Sequence, residues 1–322
     1  MPDHNPFTSK SAVASAHNPL ISESVVVSSD NPLISKSVVV FLKLGGSLIT
    51  DKTQAYTTRR EAIARLAYEV RQAIDEAPDL RLLIGHGSGS FGHWAARPYG
   101  TRQGVHIATQ WHGYAEVAAA AARLNRIVTD RFLDAGVPVL SLQPSASARC
   151  DDGVLKHLDT RPIRAALDQG LVPLVYGDVA LDAARGGTII STEDIFLYLA
   201  DQLRPARILL LGEVPGVLDH DDTLIPHITP ADLPALRAVL SGSGGVDVTG
   251  GMADKVTRMV ELVQRQPETS VHILSGAEPG LLVRALLDAA LRVGTRITGA
   301  QNARGRAHKM RAETAHRHTA AQ

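Results

Sequence analysis

The chain has 322 residues, and its 33 Lys and Arg balance its 33 Asp and Glu, so no overall field attracts nucleic acid or an anionic membrane. The single cysteine, Cys150, excludes an internal disulfide and suits a reducing, cytoplasmic compartment. The longest apolar runs have the length of strands and fall well short of the ~20 residues of a membrane-spanning helix, so we expect small-molecule partners.

The amino-terminal segment contains an imperfect tandem copy. NPLISESVVV occupies residues 18–27, and NPLISKSVVV occupies residues 31–40 and runs into the first apolar strand. The segment is rich in Ser, Asn and Pro, which favours a flexible extension over residues 1–36. We expect the main domain at 37–302 and a polar, basic tail at 303–322.

Between these ends, apolar runs of strand length alternate with segments of helical periodicity. Ile63, Leu66, Val70 and Ile74, for example, share one face of a predicted helix. The predicted strands are 37–46, 81–85, 137–142, 172–178, 207–213 and 270–276. Further predicted helices lie around 112–134, 160–168, 192–202, 230–240, 253–265 and 279–288. This alternation predicts an α/β fold with a mainly parallel central sheet, whose ligands gather at the carboxyl ends of the strands.

Three glycine-rich turns stand at strand ends or helix starts. GHGSGSFGH (85–93) follows the apolar run RLLI, KLGGS (43–47) ends another predicted strand, and TGGMADK (249–255) opens a helix. The first turn lacks the Lys-Ser or Lys-Thr of a P-loop, and no acidic residue follows at the spacing of a dinucleotide site. One such turn is consistent with a simple strand-to-helix connection. Three turns that expose backbone N–H groups, two of them with a lysine, indicate a site for several phosphates.

The charged residues near these turns suggest partners. Lys43 lies inside an apolar strand and needs an anion, since an unpaired buried ammonium is costly. Lys255 falls in the first turn of a helix, where the dipole disfavours a cation unless an anion is bound. Lys52 is either a surface lysine or part of the site. Asp194, in the segment STED, either caps a helix or holds the lysines in place.

The motifs together resemble a known family. KLGGSLITDK (43–52), HGSGSFGH (86–93), YGDV (176–179), the STED segment and GGMADK (250–255) are similar to the amino acid kinase superfamily, and within it to the isopentenyl phosphate kinases. The resemblance implies an open αβα sandwich, with an acceptor lobe at about 37–170 and an ATP lobe at about 171–302. It also implies ATP as the phosphate donor and a homodimer. We expect Mg²⁺ to be held mainly by phosphates, with no metal ligands from the protein, since the sequence shows no compact carboxylate cluster for a metal cage.

The resemblance also implies roles for individual residues. His93 would donate a hydrogen bond to the acceptor phosphate, and Lys52 would contact the transferring phosphoryl group. The catalytic set is then Lys43, Lys52, His93, Asp194 and Lys255. The acceptor would contact Gly87, Ser88, Gly89, His93 and Gly177. The nucleotide would contact Lys43, Gly45, Gly46, Ser47, Ser88, Asp194, Gly250, Gly251 and Lys255.

The chain also departs from the family pattern, and other functions stay open at this point. Ser88 stands where the family usually has glycine, and GEVPGVLD (212–219) replaces a more polar pattern near the nucleotide. An apolar pocket for an isoprenoid would come from the helical segment 105–133, whose apolar residues equally suit ordinary core packing. The alternatives are a kinase for a small phosphonate such as fosfomycin and a non-catalytic nucleotide sensor.

Overall fold

The computed structural model describes residues 38–236 and 251–299. The strands are β1 (Val39–Leu44), β2 (Arg81–His86), β3 (Val139–Ser141), β4 (Arg149–Asp151), β5 (Val154–His157), β6 (Val172–Tyr176), β7 (Asp178–Asp182), β8 (Gly186–Ile190), β9 (Arg207–Gly212), β10 (His227–Ile228), β11 (Ser270–Ser275) and β12 (Thr295–Thr298). The helices are α1 (Gly46–Ile49), α2 (Arg60–Glu76), α3 (Gly89–Ala96), α4 (Ala108–Asp134), α5 (Arg161–Asp168), α6 (Thr192–Leu203), α7 (Gly251–Arg265) and α8 (Leu281–Leu287). The extension 1–36 and the tail 303–322 lie outside the described residues.

Eight strands form the central sheet, in the order β10-β12-β11-β9-β1-β2-β6-β3. The pairs from β11 through β3 are all parallel, and β12 runs antiparallel to β11. The prediction of an α/β fold with a mainly parallel sheet is therefore confirmed. Such a sheet brings the carboxyl ends of β1, β2, β6 and β9 to one edge, where ligands bind in this class of fold.

Helices cover both faces of this sheet, because its central strands are apolar on both sides. Along β1, Leu42 packs into a core with α2 and α4, whereas Phe41 points to the opposite face and packs with α6 and α7. The rings of Phe41 and Phe196 lie 5.1 Å apart. Full burial of a side chain of this size contributes about 1.5–3 kcal/mol. The two buried faces give the predicted αβα sandwich.

A second sheet, of four strands in the order β5-β4-β7-β8, was not predicted from the sequence. Its strands are three to five residues long and include polar residues or glycines, so they lack the continuous apolar runs of the central strands. Cys150 on β4 is buried, and burial raises the pKa of its thiol to about 11. The thiol is therefore protonated and unreactive at neutral pH.

Some predicted boundaries differ from the observed ones. The predicted strand 172–178 ends at Tyr176, because Gly177 separates β6 from β7. The helix predicted at 112–134 begins at Ala108. Over the predicted helix 230–240, the structure has a 3₁₀ turn at Pro230–Asp232, and residues 237–250 lie outside the described part of the chain.

Within 38–236 and 251–299, no helix combines the length and the apolar character that crossing a bilayer requires.

Candidate active site

The predicted site residues of the first two turns meet at the carboxyl edge of the central sheet. In the sheet register, Lys43 of β1 lies between Gly85 of β2 and Leu210 of β9. KLGGS therefore emerges beside GHGSGSFGH, with the end of β9 on its other side. The backbone N–H of Gly45 donates to the carbonyl of Leu211 (2.9 Å), which fixes the first turn against β9.

The two glycine turns pack backbone against backbone. A Cβ added to Gly46 would lie 2.8 Å from the N and Cα atoms of Gly89, closer than real Cβ contacts allow. Gly89 has a φ of +51°, which disfavours any other residue there. Thr50 completes the junction, because its hydroxyl donates to the Gly46 carbonyl (2.7 Å) and accepts from the Ser90 N–H (2.9 Å). The turns thus form a single unit.

This unit presents backbone N–H groups that are not used internally. Within the described part of the chain, no acceptor pairs with the N–H groups of Gly46 and Ser47 at the start of α1, or of Ser88 and Gly89 at the start of α3. The first N–H groups of a helix have no intrahelical partner and favour anions. Two sets of such donors therefore stand next to each other.

Lys43 has its predicted anionic partner, which is a carboxylate of the protein. Its side chain is nearly buried, and Nζ lies 2.5 Å from Oε1 of Glu193, the second residue of α6. Burial raises the pKa of the Glu193 carboxyl, but the charges of Lys43 and Lys255 outweigh this effect and lower the pKa to about 2. The positive charges of both lysines thus stabilise the same carboxylate, and this interaction links β1, α6 and α7.

Asp194, which the sequence suggested as the holder of the lysines, makes other contacts. It closes a capping box, because its Oδ2 accepts from the N–H and the hydroxyl of Ser191 (both 2.7 Å). Its Oδ1 pairs with the guanidinium of Arg258 on α7. Asp194 therefore positions α7, the helix that carries Lys255, while Glu193 contacts Lys43 directly.

Glu193 and Arg258 are candidate site residues that the sequence reasoning missed, because each pairs with a predicted site residue. Both signals were present in the sequence: Glu193 precedes Asp194 in STED, and Arg258 follows Lys255 by three residues, hence on nearly the same helix face. In a capping box the acid stands three residues after the N-cap residue. Counted from Ser191 that acid is Asp194, which leaves Glu193 to contact the lysine.

Lys52 and His93 are exposed on neighbouring segments. Lys52 lies in the loop after α1, which turns back so that Thr50 and Thr58 pair. This loop packs on α3, since the ring of Tyr56 meets that of Phe91 edge-on at 5.6 Å. The loop with Lys52 therefore lies against the helix that carries His93.

The remaining predicted residues fall at the same edge or outside the described chain. Gly177 joins β6 to β7, and its N–H donates to the carbonyl of His86 (3.1 Å), at the end of β2. Gly251 is the first residue of α7. Gly250 lies outside the described residues.

The described residues contain one group with the spacing of a metal site, Asp219, His220 and Asp221. It lies on the surface, and Asp219 accepts from the N–H groups of Asp221 and Thr223 (both 2.9 Å), so these contacts stabilise a turn. At the glycine turns, the carboxylates of Glu193 and Asp194 are paired with Lys43 and Arg258. An Mg²⁺ ion at this edge would be held mainly by phosphates and water, rather than by these two paired carboxylates.

The fold and the site define a phosphotransferase, and comparisons with known proteins agree. The model of the amino acid kinase family matches residues 38–275. An isopentenyl phosphate kinase of Methanothermobacter thermautotrophicus is 36% identical over 81% of this chain and 99% of its own length. One of Haloferax volcanii is 39% identical over 76% of this chain and 98% of its own. A solved isopentenyl phosphate kinase structure, 31% identical, matches 80% of this chain and all of its own with a TM-score of 0.68. The chain therefore belongs to the amino acid kinase family, in the group of the isopentenyl phosphate kinases.

Proposed function

We propose that the protein transfers the γ-phosphoryl group of ATP to isopentenyl phosphate, and releases isopentenyl diphosphate and ADP. The observation that supports the proposal is the backbone junction between the turns at Gly46 and Gly89, beside which two sets of N–H groups have no acceptor among the described residues. One set suits the phosphates of ATP, and the other suits an acceptor phosphate. The similarity to isopentenyl phosphate kinases supports the choice of acceptor.

The chemistry requires little from a base. Near neutral pH an alkyl monophosphate already carries a nucleophilic oxyanion, so the obstacle is repulsion between the two substrates. Two unit charges about 4 Å apart repel by about 4 kcal/mol at an effective dielectric constant of about 20, and each substrate carries more than one charge. Positioning and electrostatic stabilisation must therefore supply most of the rate enhancement.

The residues of the site meet this requirement. Lys43 and the N–H groups of the first turn hold the phosphates of ATP, and Lys255 adds positive charge from α7. Gly87, Ser88, Gly89, His93 and Gly177 hold the acceptor phosphate. Lys52 contacts the phosphoryl group in transfer, where negative charge builds up in the transition state. Mg²⁺ bound to the phosphates would supply further charge neutralisation.

A panel of acceptors tests the proposal. ADP formation is measured with isopentenyl phosphate, dimethylallyl phosphate and fosfomycin, each with MgATP. We expect the highest kcat/KM with isopentenyl phosphate. A higher value with fosfomycin would replace the proposed acceptor with a phosphonate, and ATP binding without turnover of any acceptor would indicate a nucleotide sensor.

His93→Ala is expected to raise the KM for isopentenyl phosphate about 10- to 100-fold, because one hydrogen bond to a charged group contributes about 1.5–3 kcal/mol. The KM for ATP should change little. His93→Asn should retain part of the affinity, since its amide keeps one donor. Initial rates at varied acceptor concentration measure the effect, with His157→Ala, an exposed histidine on β5, as the control. Wild-type acceptor KM in His93→Ala would remove His93 from the acceptor site.

A homodimer and a cytoplasmic location are further parts of the proposal. Both rest on the resemblance to the family, and the lone buried thiol of Cys150 suits a reducing compartment. Light scattering of the full chain tests the dimer directly.

A further inference from the structure

The turn that we assign to the acceptor phosphate begins with a buried histidine that has no part in the proposed chemistry. His86 is the last residue of β2 and has no exposed surface. Its ring stacks on that of Tyr176, its neighbour in β6, with centroids 5.6 Å apart and planes 10° from parallel. Its carbonyl accepts from the hydroxyl of Thr192 (2.6 Å) at the start of α6. His86 therefore stands where β2, β6 and α6 meet below the turn.

Both ring nitrogens of His86 have polar neighbours. Nδ1 lies 3.0 Å from the carbonyl oxygen of Gly87, and Nε2 lies 3.2 Å from Oδ1 of the Asn125 side-chain amide on α4. The nitrogen of the same amide, Nδ2, lies 2.5 Å from the hydroxyl of Ser141 at the end of β3. A chain of polar groups thus runs from the turn through the core to β3.

The partners determine the position of the proton. Burial lowers the pKa of His86, and the nearby charge of Lys43 acts in the same direction against the two hydrogen bonds, so the ring is neutral and carries one proton. A carbonyl oxygen only accepts, hence Nδ1 must be the donor to Gly87. The structure places a second acceptor, Asn125 Oδ1, against Nε2, and a ring with one proton cannot donate to both oxygens. The backbone carbonyl of Gly87 cannot turn, whereas the side-chain amide can. The Asn125 amide is therefore assigned with a 180° turn, so that its NH₂ donates to Nε2 and its oxygen accepts from the Ser141 hydroxyl. This orientation of the amide satisfies every member of the chain.

The bond to Gly87 fixes the direction of the next N–H group. In a trans peptide the carbonyl and the following N–H point in opposite directions. With the Gly87 carbonyl held by Nδ1, the Ser88 N–H faces away from the imidazole, and it has no acceptor within the described residues. The preceding peptide is held too, because the Gly87 N–H donates to the Leu44 carbonyl (3.1 Å).

We propose that His86 is a positioning residue, which in its neutral Nδ1–H form holds the Gly87–Ser88 peptide so that the Ser88 N–H is presented to the acceptor phosphate. The inference rests on the proposed function, because it takes the phosphate of the acceptor as the anion at this turn. His86 touches neither substrate. It acts through the backbone, and a phosphate at this turn meets a donor that is already oriented.

Two substitutions separate this role from core packing. Asn carries an amide N–H near the position of Nδ1, whereas Gln carries one near the position of Nε2. His86→Asn should keep the bond to Gly87 and hold the KM for isopentenyl phosphate within about threefold of wild type. His86→Gln should keep the contact with Asn125 but lose the bond to Gly87, and raise that KM about tenfold or more. The KM for ATP should stay constant in both.

The opposite outcomes overturn the inference. Equal acceptor KM values in His86→Asn and His86→Gln, or parallel changes in the KM for ATP, would reduce His86 to a packing residue. A measurement on the wild-type chain does not depend on how the variants fold. In nitrogen-15 NMR of the chain with labelled histidines, the signal of His86 is assigned by its absence from the spectrum of a variant. This signal should be that of a neutral ring protonated at Nδ1. A ring protonated at Nε2 would refute the inference even if isopentenyl phosphate is turned over. Lack of turnover by the wild type would instead refute the proposed function.

Discussion

Glu193→Ala is expected to lower the free energy of unfolding by about 3–5 kcal/mol, because it leaves the nearly buried ammonium of Lys43 without its carboxylate. ATP should restore part of this loss, since its phosphates supply negative charge to the same lysine. Chemical denaturation with and without ATP measures both effects. We expect ATP to stabilise the variant more than it stabilises the wild type.

A matched control comes from a second ion pair with the same geometry. Arg59 and Glu213 also approach to 2.5 Å, but their side chains are 45% and 43% exposed. Glu213→Ala should therefore cost no more than about 1 kcal/mol, as exposed pairs do. If Glu193→Ala and Glu213→Ala lowered the free energy of unfolding equally, the burial of Lys43 would have no energetic consequence. That result would contradict the role of Glu193 as the partner of a buried charge.

The same pair makes a prediction about pH. Since the folded Glu193 carboxyl has a pKa of about 2, below its ordinary 4.5, its contribution to stability is complete above about pH 4.5 and is lost as the pH falls towards 2. The stability difference between wild type and Glu193→Ala should therefore shrink over this range. A constant difference would mean that the carboxylate is not stabilised by the lysines.

Lys52→Ala is the second substitution with a large expected effect, a fall in kcat of about 10²- to 10³-fold. Lys52 is exposed and contributes little to stability, and its proposed contact strengthens only when charge develops on the transferring phosphoryl group. The KM values for both substrates should change much less than kcat. Steady-state kinetics with MgATP and isopentenyl phosphate give the comparison.

Lys156→Ala is the control for this substitution, because Lys156 is an exposed lysine on β5, in the smaller sheet. It should leave kcat unchanged. If Lys52→Ala also retains the wild-type kcat, Lys52 is an ordinary surface lysine and the phosphoryl group is stabilised by Lys43, Lys255 and the turns alone.

The central sheet was predictable because strands that are buried on both faces are continuous apolar runs. RILLLG and VPLVY show this pattern, and the structure places them in β9 and β6. The smaller sheet was not predictable in the same way. β7 and β8 are DVALD and GGTII, which contain aspartates or glycines and are not continuous apolar runs, and β7 is separated from β6 by a single glycine.

For the site, the sequence predicted the backbone better than the side-chain partners. The positions of the glycine turns follow from the strand ends and the glycine spacing, and the need of Lys43 for an anion follows from the cost of burying its charge. The structure brings two of the three turns together. The partners depend on packing between segments far apart in sequence. Glu193 lies 150 residues from Lys43, and only the fold shows that it, rather than its neighbour Asp194, reaches the lysine.

The close contact of Gly46 with Gly89 limits the ways in which the acceptor specificity of such an enzyme can change. In the proposed reaction, the distance between the two phosphate sites would be set by main-chain atoms, which are the same whatever side chains surround them. Substitutions that reshape the cavity for the organic part of an acceptor leave that span intact. On this proposal, new acceptors would be reached by changing the residues around the junction, whereas a single methyl group at either glycine would disturb the transfer of phosphate to all of them.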